Sequence, residues 1–99
     1  MIHIQFRNAT RAKLAKGIGD HLFPPEIGKR YRAVLAEIEE FMTIHDILAR
    51  RGWDAEWKKG DRADQVGIRL NDGWRLMLKF PDEKTVVVAL VREITNHYE

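Results

Sequence analysis

Three cations recur at alternate positions around a tight-turn signal. Arg69 precedes Asn71-Asp72-Gly73, and Arg75 and Lys79 follow it. In two strands joined by such a hairpin, successive side chains point to opposite faces. If Val66, Ile68, Leu70, Trp74, Leu76 and Leu78 take one face, the three cations share the other. Like charges across a ladder repel, so a sheet has no structural reason to gather them. An anion relieves the repulsion, and RNA phosphate is the obvious one. The alternative is that Asp61, Asp64, Asp72 and Glu93 cover the same cations as exposed salt bridges.

A second chemical group stands near the end of the chain. On the last strand the odd positions Glu93, Thr95 and His97 can share the cationic face. Histidine is the side chain whose unperturbed pKa lies near neutrality, so His97 can give or take a proton in phosphodiester cleavage. A lone histidine near a chain end is otherwise an ordinary solvated residue. Tyr98 points the other way in an ideal strand, although strand ends twist. His3, His21 and His45 are scattered without ligand spacing, so no metal site is expected. The chain has no cysteine, which excludes disulfides, thiolate zinc and a cysteine nucleophile. No glycine-rich phosphate loop, Walker motif or Ser/His/Asp arrangement is present.

The elements that must position these groups follow from periodicity. Ile2, Ile4 and Phe6 alternate with polar residues and predict a half-buried strand over 2–7. Asn8 or Thr10 can cap a helix carrying Leu14, Ile18 and Leu22 on one face, with Gly17 and Gly19 weakening its second half. Pro24-Pro25 ends that helix and begins the next, over 24–42. Its stripe is Ile27, Tyr31, Val34, Leu35, Ile38, Phe41 and Met42. Thr43, with Asp46 three residues on, opens a short helix that stops at Gly52. The period then becomes two. Trp53–Lys59 reads as a strand, Val66–Leu70 and Trp74–Phe80 as a hairpin, and Val86–Val91 as a central strand buried on both faces. The order predicts one α+β domain over 1–99, with two to three helices packed on one face of a mainly antiparallel, four- to five-stranded sheet.

Bulk properties bound the function class. A chain of 99 residues with 44% apolar content has room for one real core and no second domain. No stretch approaches a membrane span, and the start of the chain lacks a signal peptide's apolar run, so a soluble cytoplasmic protein without membrane partners is expected. The net charge of +2 is unevenly spread. Residues 50–79 hold eight Lys/Arg against five Asp/Glu, and 33–49 hold four acids and no Lys/Arg. A basic surface suits a polyanion, and a solvated surface of mixed charge is the simpler alternative.

The stretch from Lys59-Gly60-Asp61-Arg62 through Gln65-Val66-Gly67-Ile68-Arg69-Leu70-Asn71-Asp72-Gly73-Trp74-Arg75-Leu76 resembles, ungapped, the pattern of HigB toxins in the RelE/ParE superfamily. Those toxins run K-G-D-R, then I-R-V-N, then an aromatic followed by arginine, and finish near E-I-x-D-Y-H. Here the end is Glu93-Ile94-Thr95-Asn96-His97-Tyr98-Glu99. Two departures stand out. His97-Tyr98 reverses the terminal pair, with Asn96 in place of an acid, and Ala63-Asp64 replaces a pair that is usually basic and glycine-containing.

The resemblance implies a toxin of a type II toxin–antitoxin system, an endoribonuclease (mRNA interferase) that cuts ribosome-bound mRNA and so inhibits translation. It implies attack by the substrate's own 2′-hydroxyl, with no metal and no cofactor. By the same resemblance Arg75 holds the scissile phosphate with Lys59 near it, and His97 and Tyr98 stand at the acid/base positions. Lys58, Arg62, Arg69, Asn71 and Lys79 are then RNA contacts. The implied partners are mRNA on the ribosome and a small helix-turn-helix antitoxin of the HigA type. Two alternatives stay open: a non-catalytic, ParE-like DNA gyrase poison, and an inactive member of the fold that binds antitoxin.

Overall fold

Alternating and helically periodic stretches both become the elements their spacing suggests, in a computed structural model that describes residues 2–80 and 88–96, the side chains of Arg62 and of 88–93 excepted. In chain order these are β1 (His3–Phe6), α1 (Ala9–Ala15), α2 (Ile27–Glu40), α3 (Ile44–Ala49), β2 (Glu56–Trp57), β3 (Gln65–Arg69), β4 (Arg75–Lys79) and β5 (Val88–Thr95). Short 3-10 turns lie at Asp20–Leu22 and Gly60–Arg62. The strands form one sheet in the order β1-β5-β4-β3-β2. β1 runs parallel to β5, and the other neighbouring pairs are antiparallel. The α+β architecture expected from the sequence is therefore present. Among the described residues no helix is long and apolar enough to cross a membrane.

One side of the sheet is core. Val66 pairs with Leu78 and Ile68 with Leu76 across β3–β4, and all four are fully buried. They join Tyr31, Val34, Leu35 and Ile38 of α2, Leu14 of α1, Ile47 of α3 and Trp53 in a single apolar cluster. Aromatic pairs close its margins: Phe23 stands edge-on to Trp74 at 5.7 Å between centroids, and Trp57 to Phe80 at 6.1 Å. Expected inward positions on both hairpin strands are thus inward.

Element ends depart from the periodicity for identifiable reasons. Asn8 caps α1 by accepting the Arg11 N–H at 3.1 Å. The helix then stops at Ala15, because Gly17 takes a left-handed φ of 86°. The N–H groups of Gly17 and Ile18 turn back to the carbonyls of Leu14 and Lys13, both at 3.0 Å, which closes a Schellman-type end. Ile18 and Leu22, expected on one face with Leu14, are instead 58% and 59% exposed.

The second helix is shorter than the expected 24–42. Ile27 donates to the Pro24 carbonyl at 3.2 Å while Glu26 holds φ at 82°. This is a type II turn with Pro25 at its second position and Glu26 where glycine is usual, so helical geometry begins only at Ile27. At the far end Phe41 is extended and its carbonyl accepts the Ile2 N–H at 2.9 Å. Met42, expected in the buried stripe, lies beyond the helix and is 63% exposed. Thr43 and Asp46 form the expected capping box of α3.

The expected strand over Trp53–Lys59 contracts to two ladder residues. Asp54 adopts φ of 45°, which no regular strand tolerates, although the Trp53 carbonyl still accepts the Arg69 N–H at 2.7 Å. The β3–β4 connection is pinned by Asn71, whose Oδ1 accepts the N–H groups of Gly73 and Trp74, both at 2.9 Å. β5 is an interior strand, as expected, with Val86 and Val87 of the expected run outside the described residues. Its register against β4 shifts between Met77 and Leu78, where Met77 pairs with Glu93 and Leu78 with Val91, leaving Arg92 as the extra residue of a bulge.

Candidate functional site

The sheet face turned away from the helices is built by strand parity. Arg69 lies opposite Arg75, and Arg75 lies opposite Thr95. In the next row Glu56 pairs with Gly67, Gly67 with Met77 and Met77 with Glu93. In the third row Gln65 pairs with Lys79, and the Lys58 N–H donates to the Gln65 carbonyl at 2.9 Å. Lys58, Arg69, Arg75 and Lys79 therefore belong to one open face, as three of them were expected to.

That face is not a bare row of cations. Lys58 Nζ stands 3.0 Å from a Glu56 carboxylate oxygen, and Lys79 Nζ stands 3.2 Å from one of Asp64. Arg69 reaches Asp54 at 3.4 Å and also bonds Asp72, within the same turn. The hydrogen bond and charge of Asp72, with a smaller share from Asp54, raise the Arg69 pKa above its ordinary value. Asp64 and Asp72 are two of the four acids expected as salt-bridge partners. Asp54 and Glu56 were not foreseen. Glu56 is legible in hindsight, because a carboxylate two residues before Lys58 on a strand shares its face. Asp54 is not, because its left-handed backbone aims the side chain.

Arg75 behaves differently. Its Nη1 donates to the Asn71 carbonyl at 2.7 Å and to the Trp74 carbonyl at 3.1 Å. The guanidinium is thereby laid along the β3–β4 turn, half-buried, and its direction is fixed by a loop that Asn71 itself holds rigid. Asn71 thus serves the face through its backbone and its turn-forming side chain. Lys59 is exposed at the start of the Gly60–Arg62 turn, one residue beyond the Lys58–Gln65 backbone bond. Arg62 belongs to that same turn. His97 and Tyr98 lie outside the described residues, and Asn96, just before them, is exposed.

The centre of the face is covered. Met77 is fully buried although it points away from the core cluster, and Gly67 beside it is buried too. Gln65 is 7% exposed, with an Oε1 that has no hydrogen-bond partner among the described residues. Other ion pairs serve the helical side. Arg32 clamps Asp20 at 2.8 and 3.0 Å and also donates to the Leu14 carbonyl. Arg50 holds Glu37 at 2.6 and 2.9 Å while its guanidinium lies 5.3 Å from the Trp53 ring centroid. Among the described residues no group of three or more His, Asp or Glu gathers as a metal site.

Chemically, the arrangement offers a polyanion four cations on one surface, one of them an arginine locked in direction by two carbonyls. Carboxylates stand beside Lys58, Arg69 and Lys79, so an anion binding at any of these displaces an existing partner. No protein-family model matches the chain, and no curated protein matches it.

Proposed function

We propose that this chain is a toxin of the RelE/HigB type, an endoribonuclease that cuts mRNA on the ribosome. The observation that carries the proposal is the β3–β4 register, which sets Arg69 opposite Arg75 on the face that also bears Lys58 and Lys79. Like charges directly opposite on a ladder repel, and Arg69 is compensated by Asp54 and Asp72, carboxylates that a phosphate could replace. The resemblance of residues 59–76 to the HigB pattern names the same Arg75 as the phosphate-holding group. β5 adds support, since Thr95 lies opposite Arg75. His97 follows Thr95 by two positions in the sequence and lies outside the described residues.

In the proposed reaction the 2′-hydroxyl of one nucleotide attacks the adjacent phosphorus. A P–O2′ bond forms and the P–O5′ bond breaks, leaving a 2′,3′-cyclic phosphate and a 5′-hydroxyl. The attacking hydroxyl loses its proton to a base, and the departing oxygen gains one from an acid, roles assigned to His97 and Tyr98. Arg75 and a lysine offset the charge that builds on the pentacoordinate phosphate. The proposed partner in the resting cell is a helix-turn-helix antitoxin.

One observation favours a second reading. Acids accompany Lys58, Arg69 and Lys79, as expected of a binding module that never meets RNA. Expression in growing bacteria separates the two. The proposal expects growth arrest with mRNA cut inside translated frames, little cutting of naked RNA, and loss of both effects in Arg75→Ala with the fold intact. Arg75 is half-buried and bonds two turn carbonyls, so thermal unfolding of Arg75→Ala is recorded alongside, and losing one transition-state contact typically costs ~10²–10³ in rate. Growth arrest with DNA damage and intact mRNA would replace this reading with the gyrase one.

A further inference from the structure

The adjacent lysines Lys58 and Lys59 do not stand equally toward the open face. Lys58 is tied into the β2–β3 pairing by its N–H bond to Gln65, and its side chain runs over Gly67. A methyl group on Gly67 would sit 2.5 Å from Lys58 Cε, 3.2 Å from its Nζ and 3.4 Å from Met77 Sδ. Gly67 occupies the middle of β3 with no left-handed φ, so its backbone does not require glycine. The end of the Lys58 side chain fills the space a Cβ would take, so a methyl group there would push that flexible end out of its slot. In that slot the Lys58 side chain is only 9% exposed, whereas its partner Glu56 is 68% exposed. A lysine normally reaches away from the surface into water, with many rotamers open to it. Lys59 does so, at the start of the following turn.

We infer that Lys58, seated in the slot over Gly67, is the lysine that holds the reacting phosphate, and that Gly67 is its positioning residue. This assignment rests on the endoribonuclease proposal and changes which of the two lysines acts. A seated ammonium needs no reorganisation when charge builds on the phosphate, and its attraction is stronger for being partly removed from water. Glu56, a carboxylate partner on the edge strand β2, is largely solvated, so an incoming phosphate can exchange with it at the same cation.

The test compares full-length Lys58→Met, Lys59→Met, Gly67→Ala, the Gly67→Ala/Lys58→Met double variant and Arg75→Ala. The measurement is single-turnover cleavage of a translated mRNA on programmed ribosomes, with thermal unfolding of each protein recorded alongside. Methionine keeps the stem over Gly67 and removes only the charge. Lys58→Met should slow cleavage by ~10²–10³-fold, the usual loss of one charge-stabilising contact, and Lys59→Met by at least tenfold less. Gly67→Ala should slow cleavage in the parent chain and add nothing in the Lys58→Met background, because it acts through Lys58. A larger loss in Lys59→Met, or full additivity in the double variant, would overturn this assignment while cleavage by the parent chain and its loss in Arg75→Ala still marked a working nuclease. Failure of the unmodified chain to cleave would overturn the nuclease proposal and this assignment together.

Discussion

Replacing Asp54, Asp64 and Asp72 with asparagine asks whether the open face is an RNA surface restrained by its own acids. Arg69 is paired with Asp54 and Asp72, and Lys79 with Asp64, so RNA must displace three carboxylates to engage two cations. Each cation that neutralises a phosphate of single-stranded nucleic acid adds about 0.7 to the slope of log affinity against log salt. Releasing two should steepen that slope by roughly 1.4 and tighten binding most at low salt. Asparagine preserves size at all three positions and accepts the left-handed backbone that Asp54 adopts, with φ of 45°. The acids themselves are exposed, so the unfolding midpoint should scarcely move. Fluorescence anisotropy of a labelled single-stranded RNA, titrated with salt, reads both slope and affinity. An unchanged slope with unchanged affinity would show that RNA does not compete with these carboxylates for Arg69 and Lys79, and the open face would lose its standing as a phosphate surface.

Two further outcomes test the fold. Ile38 is fully buried and Met42 is 63% exposed, although the sequence places both on one helical stripe. Ile38→Ala should cost ~2–5 kcal/mol in urea unfolding and Met42→Ala under ~0.5 kcal/mol, and equal costs would refute the end of α2 at Glu40. The Asp46 carboxylate accepts the N–H groups of Met42 and Thr43 at 2.9 and 3.1 Å, which holds its pKa below the ordinary 3.8. A depressed folded pKa gives stability that is full above the unfolded value and is lost as pH falls through the folded one. Asp46→Asn should therefore melt below the parent near neutral pH, with the gap closing as pH drops below 3.8. A gap independent of pH would refute the capping role.

Sequence periodicity carried the layers and the strand parity, because burial of one face imposes a period that local exceptions do not erase. Leu76, Ile38 and Ile68 are fully buried where that period places them. Element ends were less legible, since each is decided by a backbone bond to something distant or by one unusual φ. Phe41 leaves α2 because its carbonyl meets Ile2, far away in the sequence and adjacent in space. Glu26 takes a left-handed conformation that glutamate has no propensity for, and Pro24-Pro25 alone does not reveal that the helix waits for Ile27. At the site, parity predicted that Arg69, Arg75 and Lys79 share a face. It could not reveal that Arg75 would be aimed by the Asn71 and Trp74 carbonyls, nor that Met77 and Gly67 would be covered on the outer side.

The same parity makes the assignment of the lysine a one-residue question. In a strand, moving by one residue exchanges the two faces of a sheet, so neighbours such as Lys58 and Lys59 have opposite prospects however alike they look in an alignment of letters. The Lys58–Gln65 bond and the Glu56–Gly67 pair put Lys58 on the face of Arg69 and Arg75. The C-terminal strand obeys a different count. Between Lys79 and Arg75 β4 advances four residues while β5 advances five, from Leu90 to Thr95, with Arg92 as the surplus. Without that bulge the partner of Arg75 would be Ile94, and an apolar side chain would face the cations. With it, Ile94 stays in the core and Thr95 stands across from Arg75. An inserted residue in β5 thus reconciles an apolar strand with a polar outer face.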